Sequence, residues 1–97
     1  MIDIKLRLEV TSSGVSDGPW AYMVDHGLTF NGNVAEDDIP YSPEIQRLLL
    51  TFGGNTLAAK VDYVLYLDNV EKTKGTAKIF HGSVGTKTIR FFLKAPA

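Results

Sequence analysis

The sequence has no cysteine, which excludes disulfide staples and thiolate metal sites and suits a reducing compartment. It has no run approaching the ~20 apolar residues that a membrane-spanning helix needs. The opening MIDIKLRLEV has neither the basic start nor the continuous apolar stretch of a secretory signal, so a cytoplasmic protein is expected. There is no repeat, linker or low-complexity tract, and 97 residues suffice for one domain, residues 1–97, with one modest core.

Catalytic and cofactor signatures are equally scarce. The two histidines, His26 and His81, fit no metal-ligand spacing. Asp25 and His26 are neighbours, so on a strand they point to opposite faces and make a poor dyad. Ser83 has no nucleophile-elbow context. The glycines at 53, 54, 82 and 85 form no phosphate-binding loop. Glu36-Asp37-Asp38 lacks the spacing of a calcium loop. No enzyme, metal or cofactor is therefore expected.

The net charge of −1 argues against strong non-specific nucleic-acid binding, yet the charge is uneven. Residues 1–48 carry three cations and eight acids, a net −5, and residues 49–97 carry seven and three, a net +4. Such a division either marks a molecule with a basic side or disappears when the halves interleave in a sheet.

Hydrophobic patterning provides most of the architecture. Ile2, Ile4, Leu6, Leu8 and Val10 alternate with Asp3, Lys5, Arg7 and Glu9, which is a half-buried strand. TSSGVSDGP (11–19) reads as a turn and WAYMVDHGLTF (20–30) as a second strand, with Gly27 marking a bulge or break. Trp20 and Tyr22 share a face. Core is the expected place for them, with an interface anchor beside the 11–19 loop as the alternative. NGN (31–33) is a tight turn and 34–41 a loop carrying Glu36, Asp37 and Asp38. Ser42, Pro43 and Glu44 form a helix start, and Ile45, Leu48, Leu49 and Phe52 follow at helical spacing up to a Gly53-Gly54 stop. Residues 57–67, 76–82 and 87–95 then read as a three-stranded antiparallel meander.

The expected fold is α+β with the order β-β-α-β-β-β: a small antiparallel sheet, or a partly closed barrel, with one helix packed on it. A β-grasp arrangement also fits.

The stretch TIRFFLKA (88–95) poses the functional question. Ile89, Phe91 and Leu93 make a core face, while Phe92 sits between Arg90 and Lys94 on the other. The same alternation in 57–67 places Val64 and Tyr66 away from the core; the 76–82 strand reads either way, with Ile79 inward and Phe80 joining them, or with Phe80 inward and Ile79 and His81 outside. Aromatic and arginine residues with a polar rim are the composition of a protein interface. The first reading is a small non-enzymatic module that binds another protein or copies of itself, such as an inhibitor, an immunity-type protein, an adaptor or an assembly subunit. Its anchors are Tyr66, Phe80, Arg90 and Phe92, with Glu36, Asp37 and Asp38 as charged contacts. The alternative is a single-stranded nucleic-acid binder that stacks bases on the same rings and tracks phosphates with Lys60, Lys78, Arg90 and Lys94.

Overall fold

The computed structural model describes residues 3–23, 27–79 and 82–93. Among them there is no helix. The chain forms β1 (Asp3–Ser13), β2 (Val15–Tyr22), β3 (Gly27–Leu28), β4 (Phe30–Asn31), β5 (Val34–Pro40), β6 (Gln46–Gly54), β7 (Lys60–Leu67), β8 (Val70–Lys78) and β9 (Val84–Phe91). These strands build a five-stranded sheet, β4-β5-β1-β7-β8, and a four-stranded sheet, β3-β2-β6-β9. Every pairing is antiparallel. The α+β expectation is thus overturned: the fold is all-β, and its two sheets do not close into a barrel.

Long bent strands explain the arrangement. β1 continues into β2 with only Gly14 between them, at φ +70°, a value that costs glycine little. Opposite it, β6 passes into β7. Ser13 pairs with Lys60 below the bend and Val15 with Gly54 above it. A Cβ on Gly54 would come within 2.5 Å of the Ala59 Cβ, so the corner closes only because position 54 has no side chain. β7 and β8 lie in one sheet, β6 and β9 in the other, and the chain turns the same corner again between β8 and β9. The outcome is a sheet folded over on itself.

The core lies between the two halves. Ile4, Leu6, Leu8 and Val10 face Leu48, Leu50, Phe52, Ile89 and Phe91 across it, with Val61, Tyr63 and Leu65 alongside. Of the period-two sets expected in β1, β7 and β9, Ile4 to Val10, Val61 to Leu65 and Ile89 to Leu93 are buried, Leu67 is half-buried, Leu57 before β7 is exposed, and Ile2 lies outside the described residues.

The expected helix over 42–52 is a strand. Leu48, Leu50 and Phe52 are fully buried while Leu49 is exposed, a period of two. The helix-start residues make a local turn instead, with the Glu44 amide donating to Ser42 Oγ at 3.2 Å. The segment 34–41 is a strand rather than a loop, paired along β1 from Glu9↔Val34 to Asp3↔Pro40. Residues 11–19 are mostly strand, and the polar 68–75 connection shrinks to Asp68-Asn69, both at positive φ, the geometry of a two-residue hairpin. The meander is corrected too: β9 pairs with β6 in the other sheet and not with β8.

Candidate binding face

The outer surface of the four-stranded sheet is built by β2, β6 and β9. Because Ala21, Leu48, Leu50, Ile89 and Phe91 point inward, their strand neighbours point out. The outward residues fall into rows across the strands. Arg47 is opposite Arg90. Next come Tyr22, Leu49 and Thr88, then Trp20, Thr51 and Thr86, and last Asp17, Gly53 and Val84.

The middle rows set Trp20, Tyr22 and Leu49 among threonines, and these three large side chains are uncovered among the described residues. Trp20 is 46% exposed, Tyr22 43% and Leu49 40%. The expectation of a core position for Trp20 and Tyr22 is therefore corrected. The Tyr22 ring leans toward Gly27 of β3, where a Cβ would stand 3.4 Å from Cδ1. Thr51 Oγ1 donates to the Gly85 carbonyl at 3.2 Å, which ties β6 to β9 within this face.

The two ends of the face differ in charge. Arg47 and Arg90 are cross-strand partners and both are exposed. Like charges so placed repel, and neither has an ion-pair partner among the described residues. At the other end the Asp17 side chain lies over Gly53, with its Cβ 3.3 Å from where a Gly53 Cβ would stand. Beside it is a shallow depression of about 310 Å3 whose lining includes Asp17, Trp20, Thr51, Gly53 and Val84.

The outer surface of the five-stranded sheet is unlike this. Lys5 Nζ lies 3.2 Å from Glu36 Oε2. The Arg7 guanidinium sits 4.3 Å from the centroid of the Tyr66 ring, donates from Nη1 to Asn69 Oδ1 at 2.8 Å and has Nε 3.0 Å from Glu9 Oε2. That last contact is an ion pair, and the buried Nε has no hydrogen-bond acceptor among the described residues. Thr76 Oγ1 donates to Asp62 Oδ1 at 2.6 Å. The charged groups that β1 and β5 place on this surface are largely engaged with one another or with β7, whereas Lys78 of β8 lies opposite Lys60.

The sequence-predicted site residues are dispersed over these surfaces. Tyr66 is half-buried beneath Arg7 on the five-stranded sheet, whereas Arg90 belongs to the four-stranded one. Phe92, one residue past β9 and 56% exposed, lines a cleft of about 420 Å3 at the open end with Ile4, Leu67 and Val70. The single second face expected for Tyr66, Arg90 and Phe92 is divided because β9 joins β6 in the four-stranded sheet while β7 lies in the five-stranded one. Glu36 and Asp38 lie on β5 beside Lys5, and Asp37 takes the inward side, accepting from the Asp38 amide at 2.9 Å. Lys60 and Lys78 are cross-strand partners on the five-stranded sheet, away from Arg90. Phe80, Lys94, Asp25, His26 and His81 lie outside the described residues.

Arg47 and Leu49 are the face residues that sequence reasoning missed. The available signal was the alternation of Arg47, Leu49 and Thr51 against Leu48, Leu50 and Phe52, which the helix reading of 42–52 obscured. Among the described residues no group of three or more His, Asp or Glu side chains could hold a metal ion, and none forms a helix long and apolar enough to cross a membrane. Tyr63, buried in the core, is the described group with a displaced pKa, raised above the ordinary 10.0 by burial. No protein-family model, curated protein or solved structure matches the chain.

Proposed function

We propose that the protein is a small cytoplasmic, non-enzymatic binding module that recognises a protein surface through the outer face of its four-stranded sheet. One observation carries this reading: Trp20, Tyr22 and Leu49 lie side by side in adjacent rows, each at least 40% exposed, on a platform of three hydrogen-bonded strands. Single exposed apolar side chains are ordinary, but a contiguous group that includes Trp and Tyr beside arginine has the composition of an interface centre. The opposing sheet shows no such aromatic group: there Lys5 and Arg7 are matched by carboxylates or a ring, while Lys60 lies opposite Lys78.

Affinity capture with the immobilised chain tests the reading. The wild-type bait is expected to retain a protein, either another copy or a host protein, and Leu49→Lys and Trp20→Ala baits of unchanged melting temperature are expected to lose it. Equal retention by all three baits, or by none, would refute the assignment of this face.

A further inference from the structure

Building on that assignment, we infer that the occupant of the face is a second copy of this chain, seated about a two-fold axis that exchanges the ends of the face. The rows run in the order Arg47–Arg90, Tyr22–Leu49–Thr88, Trp20–Thr51–Thr86 and Asp17–Gly53–Val84. A two-fold axis in the plane of contact and perpendicular to the strands, passing at the level of Leu50, reverses this order. It keeps β2 against β2 and β6 against β6. Tyr22 then meets Trp20 of the second copy, and Leu49 meets Thr51. Arg47 meets Gly53, where no side chain stands and where the carboxylate of Asp17 and the ring of Trp20 border the depression.

That depression has the chemistry of an arginine seat. A carboxylate accepts from a guanidinium, and an indole face attracts its charge. The same face offers an unpaired arginine couple at its other end. Both halves of the contact therefore exist on each copy, and the two-fold uses each of them twice. The opposite choice of axis, parallel to the strands, keeps the rows in order and would set Arg47 against Arg47 or Arg90 of the second copy. Aligned sheet packing tolerates a crossing of about 30°, which preserves this end-to-end matching.

The expected affinity is modest. From Arg47 to Gly53 the face is about 20 Å long at ~3.3 Å per residue, and three strands with their side chains make it about 15 Å wide. That is small beside the ~800 Å2 per partner of a standard stable interface. Exposed arginine contacts also weaken with salt.

The test is light scattering across concentration at low and high salt. The wild-type mass should rise with concentration from 10.6 kDa towards twice that value, and less so at high salt. Asp17→Lys and the double variant R47E/R90E should each stay monomeric, and mixing them in equal amounts should restore a dimer, since each then supplies what the other lacks. Leu49→Lys breaks the centre of the face independently of its charged ends and should also be monomeric. A wild-type chain that remains monomeric at millimolar concentration overturns the inference, as does a mixture that stays monomeric while the wild type dimerises. If the wild type is monomeric but the captured host protein is lost with Leu49→Lys, the second copy is the wrong occupant and the binding face stands. If neither is seen, both fall.

Discussion

The two outer surfaces of this sandwich share a backbone and a hydrophobic core, yet their chemistry has diverged. On the five-stranded sheet, β5, β1 and β7 place charges of opposite sign opposite or diagonal to one another, and Arg7 is engaged by Tyr66, Asn69 and Glu9 together. On the four-stranded sheet, arginine lies opposite arginine and aromatic side chains stand unpaired between them and Asp17. A surface whose charges pair internally has little to offer a partner. A surface that keeps cations side by side bears a repulsive cost in the isolated chain, and an incoming carboxylate relieves it. Lys60 opposite Lys78 carries the same repulsion on the five-stranded sheet, so the exposed group of Trp20, Tyr22 and Leu49 is what distinguishes the candidate interface from the solvated face.

Substitutions at equivalent positions can break or sharpen the comparison. The largest effect is expected within a single strand. Leu48→Ala should cost about 2–5 kcal/mol because Leu48 is fully buried, whereas Leu49→Ala should shift stability by no more than about 0.5 kcal/mol. Denaturant titration of both variants measures the difference. Equal losses would indicate a helix-like stripe and remove the outer face altogether. Gly54→Ala at the shared corner should cost about 1–3 kcal/mol, since the new methyl would meet Ala59 Cβ at 2.5 Å and Ile79 Cδ1 at 3.1 Å. A thermal melt without a downward shift would show that the corner has room after all.

The faces themselves are compared by removing one arginine from each. Arg7→Ala should destabilise by about 1–2 kcal/mol through loss of the ring contact and of the bond to Asn69. Arg47→Ala should leave stability unchanged or slightly improved and act only on association. The smallest effect is confined to alkaline pH. Burial raises the Tyr63 pKa above that of the unfolded chain, so its neutral hydroxyl is favoured in the fold. This contribution is complete below pH 10.0 and is lost as pH rises from there through the folded-state value. Tyr63→Phe should flatten this alkaline decline in unfolding titrations and leave the neutral range unchanged in slope.

The parts of the structure that were legible from sequence are those where local pattern and final environment agree. β1, β7 and β9 have one face toward the core, so strict alternation revealed their buried residues. The turn at Gly32 followed from residue type. β5 was hidden because Asp37 occupies an inward position between Ala35 and Ile39, interrupting the apolar period; an inward charge on a largely uncovered outer strand discourages stray pairing. β6 was misread because Leu48, Leu49 and Leu50 satisfy both a helical stripe and a strand, and Ser42-Pro43-Glu44 supplies a plausible start. The candidate site suffered accordingly. Trp20, Tyr22 and Arg90 stand out individually in the sequence, but a helical reading of 42–52 separates Leu49 from them, and alternation alone puts Tyr66 and Arg90 on one sheet.

What the sequence by itself determined is which side of β1, β7 and β9 is oily, where the turn at Gly32 falls and that no disulfide can contribute, because these depend on residue type and on spacing of one or two positions. Which sheet each strand joins was decided only by tertiary structure. Leu48 to Leu50 become strand because β2 and β9 on either side satisfy their backbone groups, and β9 leaves β8 for β6 because the chain turns the corner where Gly54 lacks a side chain. Those pairings join residues far apart in the chain, and no local period encodes them.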